Sequence, residues 1–134
     1  TGQPFVGRAG QVLDTALRAA GLDRGTVAVL NVLKCRPPGN RRPRPAELAR
    51  CRSWLEEQLS LIRPAVVCAL GTTATSWFLD RPRRLADVRG LAHPVGGRSV
   101  VPTYHPSAAL RWGPGGAPMA ALRADLTLVA ELAR

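Results

Sequence analysis

The 134-residue chain holds a single lysine, Lys34, among its nineteen basic residues, and only nine acidic residues oppose them. The resulting net charge of +10 and sequence pI near 11.5 exclude an acidic-substrate-repelling surface and point to a polyanionic partner. A GC-rich coding sequence accounts for part of the Arg:Lys ratio, but not for the net charge. Aromatic residues are few, with three Trp, two Phe and one Tyr, so that Phe5 and Phe78 are the only phenylalanines. No run of about 18 apolar residues exists, which excludes a helical membrane span, and no signal peptide is visible. Cysteine is also scarce: three residues, an odd count at wide spacing, do not build a secreted disulfide framework, and a reducing, cytoplasmic setting is expected. The chain begins at Thr1 rather than Met, which suggests a piece of something longer.

What is present suffices for one domain or most of one, since 46% apolar content supports an ordinary core at this length. Val12, Leu13, Ala16, Leu17 and Ala20 recur at helical spacing and stop at Gly21, predicting a helix over 8–20. The run "VAVLNVL", 27–33, is β-branched and apolar and reads as a buried strand. Leu48, Cys51, Leu55, Leu59 and Ile62 share a helix face that Pro45 starts and Pro64 ends. A strand over 65–70 then turns into a short helix at "GTTATSWFL", a strand "RSVVP" leads into "TYHPSAALR", and a helix over 117–133 closes the chain. Alternating helices and strands imply an α/β fold with a parallel sheet covered on both faces. Ligands in such sheets sit beyond the carboxyl ends of the strands, where Asn31, Gly71 and His105 all fall. The segments "DRPRR" and "RWGPGGAP" read as surface loops.

The most basic loop is bracketed by cysteines: in "NVLKCRPPGNRRPRPAELARC", Cys35 and Cys51 lie sixteen positions apart. Together with "GQPFVGRAG" before a helix, "LG" after a strand and "HPSAALR", this stretch resembles the iron–sulfur class of uracil-DNA glycosylases, often called family four. Four motifs in the right order from Gly2 to Arg111 are far more specific than any one of them. A related class carries a basic insert with a histidine after the Asn strand, whereas "RPPGNRRPRP" holds none.

The resemblance implies a three-layer α/β/α sandwich with a mostly parallel four-stranded sheet, and an activity that hydrolyses the N-glycosidic bond of deoxyuridine in single- or double-stranded DNA. It implies a structural 4Fe-4S cluster held by four cysteines, to which Cys35 and Cys51 correspond as the second pair; a place for Cys51 on the core face of its helix stays open. Cys68, inside a buried strand, reads as core. The family's first cysteine pair, its acidic Gly/Pro turn and its first strand do not occur in these residues, so a chain truncated at its N-terminus is expected, with strand 27–33 left at an open edge and a monomer when complete. Such an enzyme must take the nucleotide out of the base stack. Phe5 corresponds to the platform that stacks on the flipped base, or else packs in the core. Asn31 offers one acceptor to uracil N3–H and a donor to O4, a pattern that cytosine reverses; capping a turn is its other reading. His105 is the candidate donor to uracil O2 as negative charge builds there. Ser107, Leu110 and Arg111 are assigned to DNA, by phosphate contact, wedging and backbone contact, although the two alanines of "HPSAALR" are smaller than the family's usual residues. Arg36, Arg41, Arg42 and Arg44 add phosphate contacts or form a solvated face. The rival readings are a noncatalytic nucleic-acid-binding remnant and, more distantly, a zinc module.

Overall fold

The computed structural model describes residues 7–25, 27–30, 44–79 and 84–133, with the backbone alone over 47–53. Its elements are α1 (Gly7–Ala19), α2 (Pro45–Ile62), β1 (Val66–Leu70), α3 (Gly71–Leu79), α4 (Leu85–Val88), β2 (His93–Val95), β3 (Arg98–Thr103), α5 (Pro106–Trp112) and α6 (Ala117–Ala133). They fall into two compact units, one of residues 30–64 and the other of residues 1–29 with 65–134.

In the larger unit α1 forms because Gly10, Leu13, Ala16 and Leu17 place a buried stripe at helical spacing. It ends as expected at Gly21, whose φ of +82° favours glycine. The Gly21 N–H donates to Arg18 O at 3.0 Å and the Leu22 N–H to Leu17 O at 2.8 Å, a Schellman closure that satisfies the last carbonyls. Leu13, Ala16, Leu17 and Ala20 then pack with Ala109 of α5 and Leu122, Leu126 and Ala130 of α6. Cys68 and Leu70 of β1 lie against this cluster. Leu122 is fully buried, and a Leu→Ala change at such a place costs about 2–5 kcal/mol.

The sheet has the order β1-β3-β2. β1 pairs with β3 in parallel, Val66 opposite Ser99 and Leu70 opposite Thr103, while β2 pairs with β3 in antiparallel sense, His93 opposite Val100. Central β3 therefore buries Val100 and Val101 completely. The β2–β3 turn is Gly96–Gly97, both at positive φ (+57° and +82°), the backbone twist a two-residue hairpin demands. Pro94 is accommodated because β2 has a neighbour on one side only among the described residues.

The α/β class holds, and the strands expected over 65–70 and 98–102 and the helix over 117–133 are in place. The sheet contains one additional strand, and one expectation needs correction. The described sheet has three strands, in keeping with the expected α/β fold, and one of them, the antiparallel β2, was not among the expected strands. The expected strand over 27–33 carries no strand structure at 27–30, and 31–33 lie outside the described residues. An apolar β-branched run signals burial, and Val27 does pack on the core; a strand also needs a paired neighbour for its N–H and C=O groups.

In the smaller unit α2 starts at Pro45, where the missing N–H costs nothing, and stops two residues before Pro64. Arg63 takes the left-handed conformation, φ +51°, and its N–H donates to Leu59 O at 2.8 Å. Leu55 and Leu59, one turn apart, are buried, whereas Trp54 and Leu61 are exposed.

Candidate active site

Parallel pairing of β1 and β3 sets their carboxyl ends side by side, so the residues that follow each strand meet. Gly71 opens α3 directly after β1, and a Cβ built on it would fall 3.1 Å from His105 Cβ and 3.6 Å from Cδ2. Gly71 also sits at φ +89°. Both facts make glycine the residue for this place: the "LG" and "HPS" motifs are two sides of one contact.

His105 is the N-cap of α5, extended at φ −67° and ψ 142°, with Pro106 in the first helical position. Its Nδ1 accepts the Ser107 backbone N–H at 3.0 Å, and Ser107 Oγ lies 2.8 Å from the same nitrogen. A backbone N–H only donates, so Nδ1 is bare and the proton of the neutral ring resides on Nε2. Burial lowers the pKa of the ring from its ordinary value, which keeps it neutral near pH 7. The result is a neutral N–H donor fixed in tautomer by the cap of its own helix.

Leu110, Arg111 and Trp112 cover the outer side of α5. Leu110 borders a groove of about 270 Å³ lined also by Arg8, Val12 and Ala16 of α1 and by Met119 and Arg123 of α6. Arg111 is exposed, and its guanidinium carbon lies 5.9 Å from the centre of the Trp112 ring.

A second constellation escaped the sequence reading. Asp125 of α6, only 2% exposed, accepts from Arg89 Nε at 2.9 Å and from a terminal nitrogen of the same guanidinium. This pairing raises the Arg89 pKa, with burial opposing and Tyr104 adding to the effect. Gly90 lies against the pair, since a Cβ there would come within 2.7 Å of Asp125 Oδ1, and its N–H donates to Pro102 O at 3.0 Å. The loop after α4 is thereby tied to α6 and to the end of β3, just before the Tyr104–His105 turn. An acidic residue on the apolar face of a helix, three positions after Leu122 and one before Leu126, was the available signal. His93, by contrast, uses Nε2 on Val88 O at 2.9 Å, a structural tie.

The structure brings His105, Ser107 and Gly71 together and puts Leu110 and Arg111 on the same short helix. Phe5, Asn31, Cys35, Arg36, Arg41 and Arg42 lie outside the described residues, and Cys51 is placed only as a backbone position within α2. Cys68 has a thiol whose pKa burial, with a smaller contribution from Asp125, pushes up to about 12. It is a protonated core group and unfit as a thiolate ligand. No cluster of three or more potential metal ligands occurs among the described residues. No helix of the described residues is long and apolar enough to cross a membrane.

The model of the uracil DNA glycosylase superfamily matches residues 1–127. A type-4 uracil-DNA glycosylase of Thermotoga maritima is 49% identical over 115 residues, covering 83% of this chain and 59% of the relative. Another type-4 uracil-DNA glycosylase, from Pyrobaculum aerophilum, is 40% identical over 118 residues, 82% of this chain and 60% of the relative. A type-5 uracil-DNA glycosylase of the same organism is 36% identical over 92 residues, 67% of this chain and 40% of the relative. The chain thus spans about three fifths of the length of the type-4 relatives it matches.

Proposed function

Because this chain belongs to the uracil DNA glycosylase superfamily and is 40–49% identical to type-4 uracil-DNA glycosylases over more than four fifths of its length, we propose that the whole protein hydrolyses the N-glycosidic bond of deoxyuridine in DNA. Uracil and an abasic site are the products. The observation that carries the reading is the neutral His105 ring, bare at Nδ1 and protonated at Nε2, beyond the carboxyl end of β3. When the bond from C1′ to N1 breaks, its electron pair leaves with uracil and charge accumulates on O2. A preorganised donor at that oxygen is worth about 2.7–4 kcal/mol of barrier, and the Nε2–H is such a donor without first needing a proton. Water adds to the sugar at C1′ and releases a proton to complete the hydrolysis.

Phe5 stacks on the extruded base and Asn31 reads its N3–H and O4, so that cytosine leaves the amide mispaired and is rejected. Ser107 and Arg111 hold the phosphate backbone, joined by Arg36, Arg41 and Arg42 on the basic loop. Cys35 and Cys51 supply two of the four thiolates of a 4Fe-4S cluster, and the buried thiol of Cys68 takes no part. The cluster, when bound, ties the ends of the basic loop and supplies no bond-breaking chemistry. The partner is uracil-containing DNA, single- or double-stranded, and the complete protein acts as a monomer in the cytoplasm.

The test is single-turnover release of uracil from a labelled oligonucleotide, read as strand breakage in alkali. His105→Ala should slow it by about a hundredfold to a thousandfold. Undiminished rates in that variant would remove His105 from the chemistry, and no breakage with the wild-type protein would leave the noncatalytic nucleic-acid-binding reading.

A further inference from the structure

Trp112 closes α5 with its side chain in solvent, 66% exposed, more than any other tryptophan among the described residues. An exposed indole on a loose chain end would say little, but the backbone beneath this one is closely held. Gly113 N–H donates to Ala109 O at 3.1 Å, Gly116 N–H to Gly113 O at 3.1 Å and Ala120 N–H to Gly116 O at 3.3 Å. The turn so formed folds back on Trp112: a Cβ on Gly116 would fall 2.7 Å from Trp112 O and 3.0 Å from Trp112 Cβ. The Arg111 guanidinium stands 5.9 Å from the ring centre, so a cation flanks the apolar face. A large aromatic surface on a closely held backbone, paired with a positive charge, has the chemistry of a nucleobase platform. Stacking is tolerant of sequence because every base has a π-face, and the neighbouring phosphate meets the arginine.

Its distance from the reaction centre is set by the helix. Trp112 lies seven positions after His105, which at 1.5 Å per residue is about 10 Å along α5. At the stacked spacing of about 3.4 Å per nucleotide this spans about three nucleotides, and about two where an unpaired strand is drawn out further, counted from the one engaged by His105. Resting on the proposed function, we propose that Trp112 stacks on an unpaired base about two or three nucleotides from the extruded uracil, and so favours single-stranded over fully paired substrate. Leu110 is the smaller and less exposed apolar group of α5, and it borders the groove toward α1 and α6.

The experiment uses the whole protein and a thymine-only oligonucleotide, which binds without being cut. Anisotropy of a labelled strand gives the affinity, and tryptophan fluorescence reports stacking directly. Trp112→Ala should weaken binding between about fivefold and a hundredfold, while the slope of log affinity against log salt stays that of the wild type, because no charge is lost. Trp112→Phe should recover most of the affinity yet lose the fluorescence quench, and Trp54→Phe should keep both. In uracil-containing oligonucleotides, an abasic spacer two or three positions from the uracil should weaken the wild-type protein and leave Trp112→Ala unaffected. Wild-type affinity in Trp112→Ala, or a quench that survives Trp112→Phe, overturns the platform while leaving the glycosylase reading intact. No binding of DNA by the wild-type protein overturns both.

Discussion

Gly71 and His105 face each other across the carboxyl ends of two parallel strands, so closely that a methyl group on Gly71 would stand 3.1 Å from His105 Cβ, tighter than an ordinary contact. Gly71→Ala both strains a backbone at φ +89° and pushes on the imidazole. A displacement of about 1 Å at a reacting group costs on the order of a hundredfold in rate, and a smaller one correspondingly less. We expect kcat to fall by about tenfold to a hundredfold with KM little changed, measured by steady-state uracil release. A variant with wild-type kcat would show that His105 yields without consequence.

The pH dependence follows from the buried ring. An ordinary histidine titrates near 6.5, and burial puts His105 lower in the folded chain. Between the two values the unfolded chain holds a proton that the folded chain lacks, so stability is complete above 6.5 and falls as the pH drops through the folded pKa. Activity falls in the same direction, because a proton on Nδ1 abolishes acceptance from the Ser107 N–H. NMR titration of the ring should give a midpoint below 6.5, coincident with the acid limb of the rate profile; a midpoint above 6.5 would contradict the assigned tautomer and environment.

Arg89→Ala leaves the Asp125 carboxylate buried without its guanidinium partner. Breaking a buried pair in this way costs about 3–5 kcal/mol, and Arg89→Lys restores little because an ammonium does not reproduce the two-pronged geometry. Urea unfolding of the three proteins measures this, and equal midpoints would mean that solvent compensates the loss.

The arginines of the basic loop are tested by salt. Replacing Arg41 and Arg42 with alanine should flatten the slope of log affinity against log salt by about one per lost phosphate contact, uniformly across sequences. An unchanged slope would place both in solvent.

The cysteines divide by reactivity. Iron quantified per chain after anaerobic purification should collapse in Cys35→Ser and Cys51→Ser and persist in Cys68→Ala. The Cys68 thiol, with a pKa of about 12, should also resist alkylation in the folded protein. Loss of iron in Cys68→Ala without loss of folding would overturn the division.

Where a local signal fixed an element, the sequence alone was enough. Gly21 and Leu22 close α1 at the expected residue, Pro45 and Pro64 bracket α2, and the spacing of Leu122, Leu126 and Ala130 defines α6. His105 could be singled out by its motif, but its tautomer could not, because that depends on the backbone N–H of Ser107 turning toward the ring once α5 has formed. β2 was hidden for another reason: three residues including Pro94 carry no periodicity, and the only sign was the Gly96–Gly97 pair that makes the hairpin turn. The Arg89–Asp125 pair joins residues thirty-six apart, a long-range contact that no window of sequence displays.

β3 is the one strand of the described sheet with neighbours on both sides, and His105 follows its last residue by two positions. The amides of Val100 and Val101, dry and doubly flanked, belong to the part of the fold whose hydrogens exchange only when the whole domain opens. Local breathing elsewhere in the chain therefore leaves the imidazole in place. Heat or denaturant should release the His105 ring, followed by its NMR signal, in step with unfolding of the unit that holds β3 and not before it.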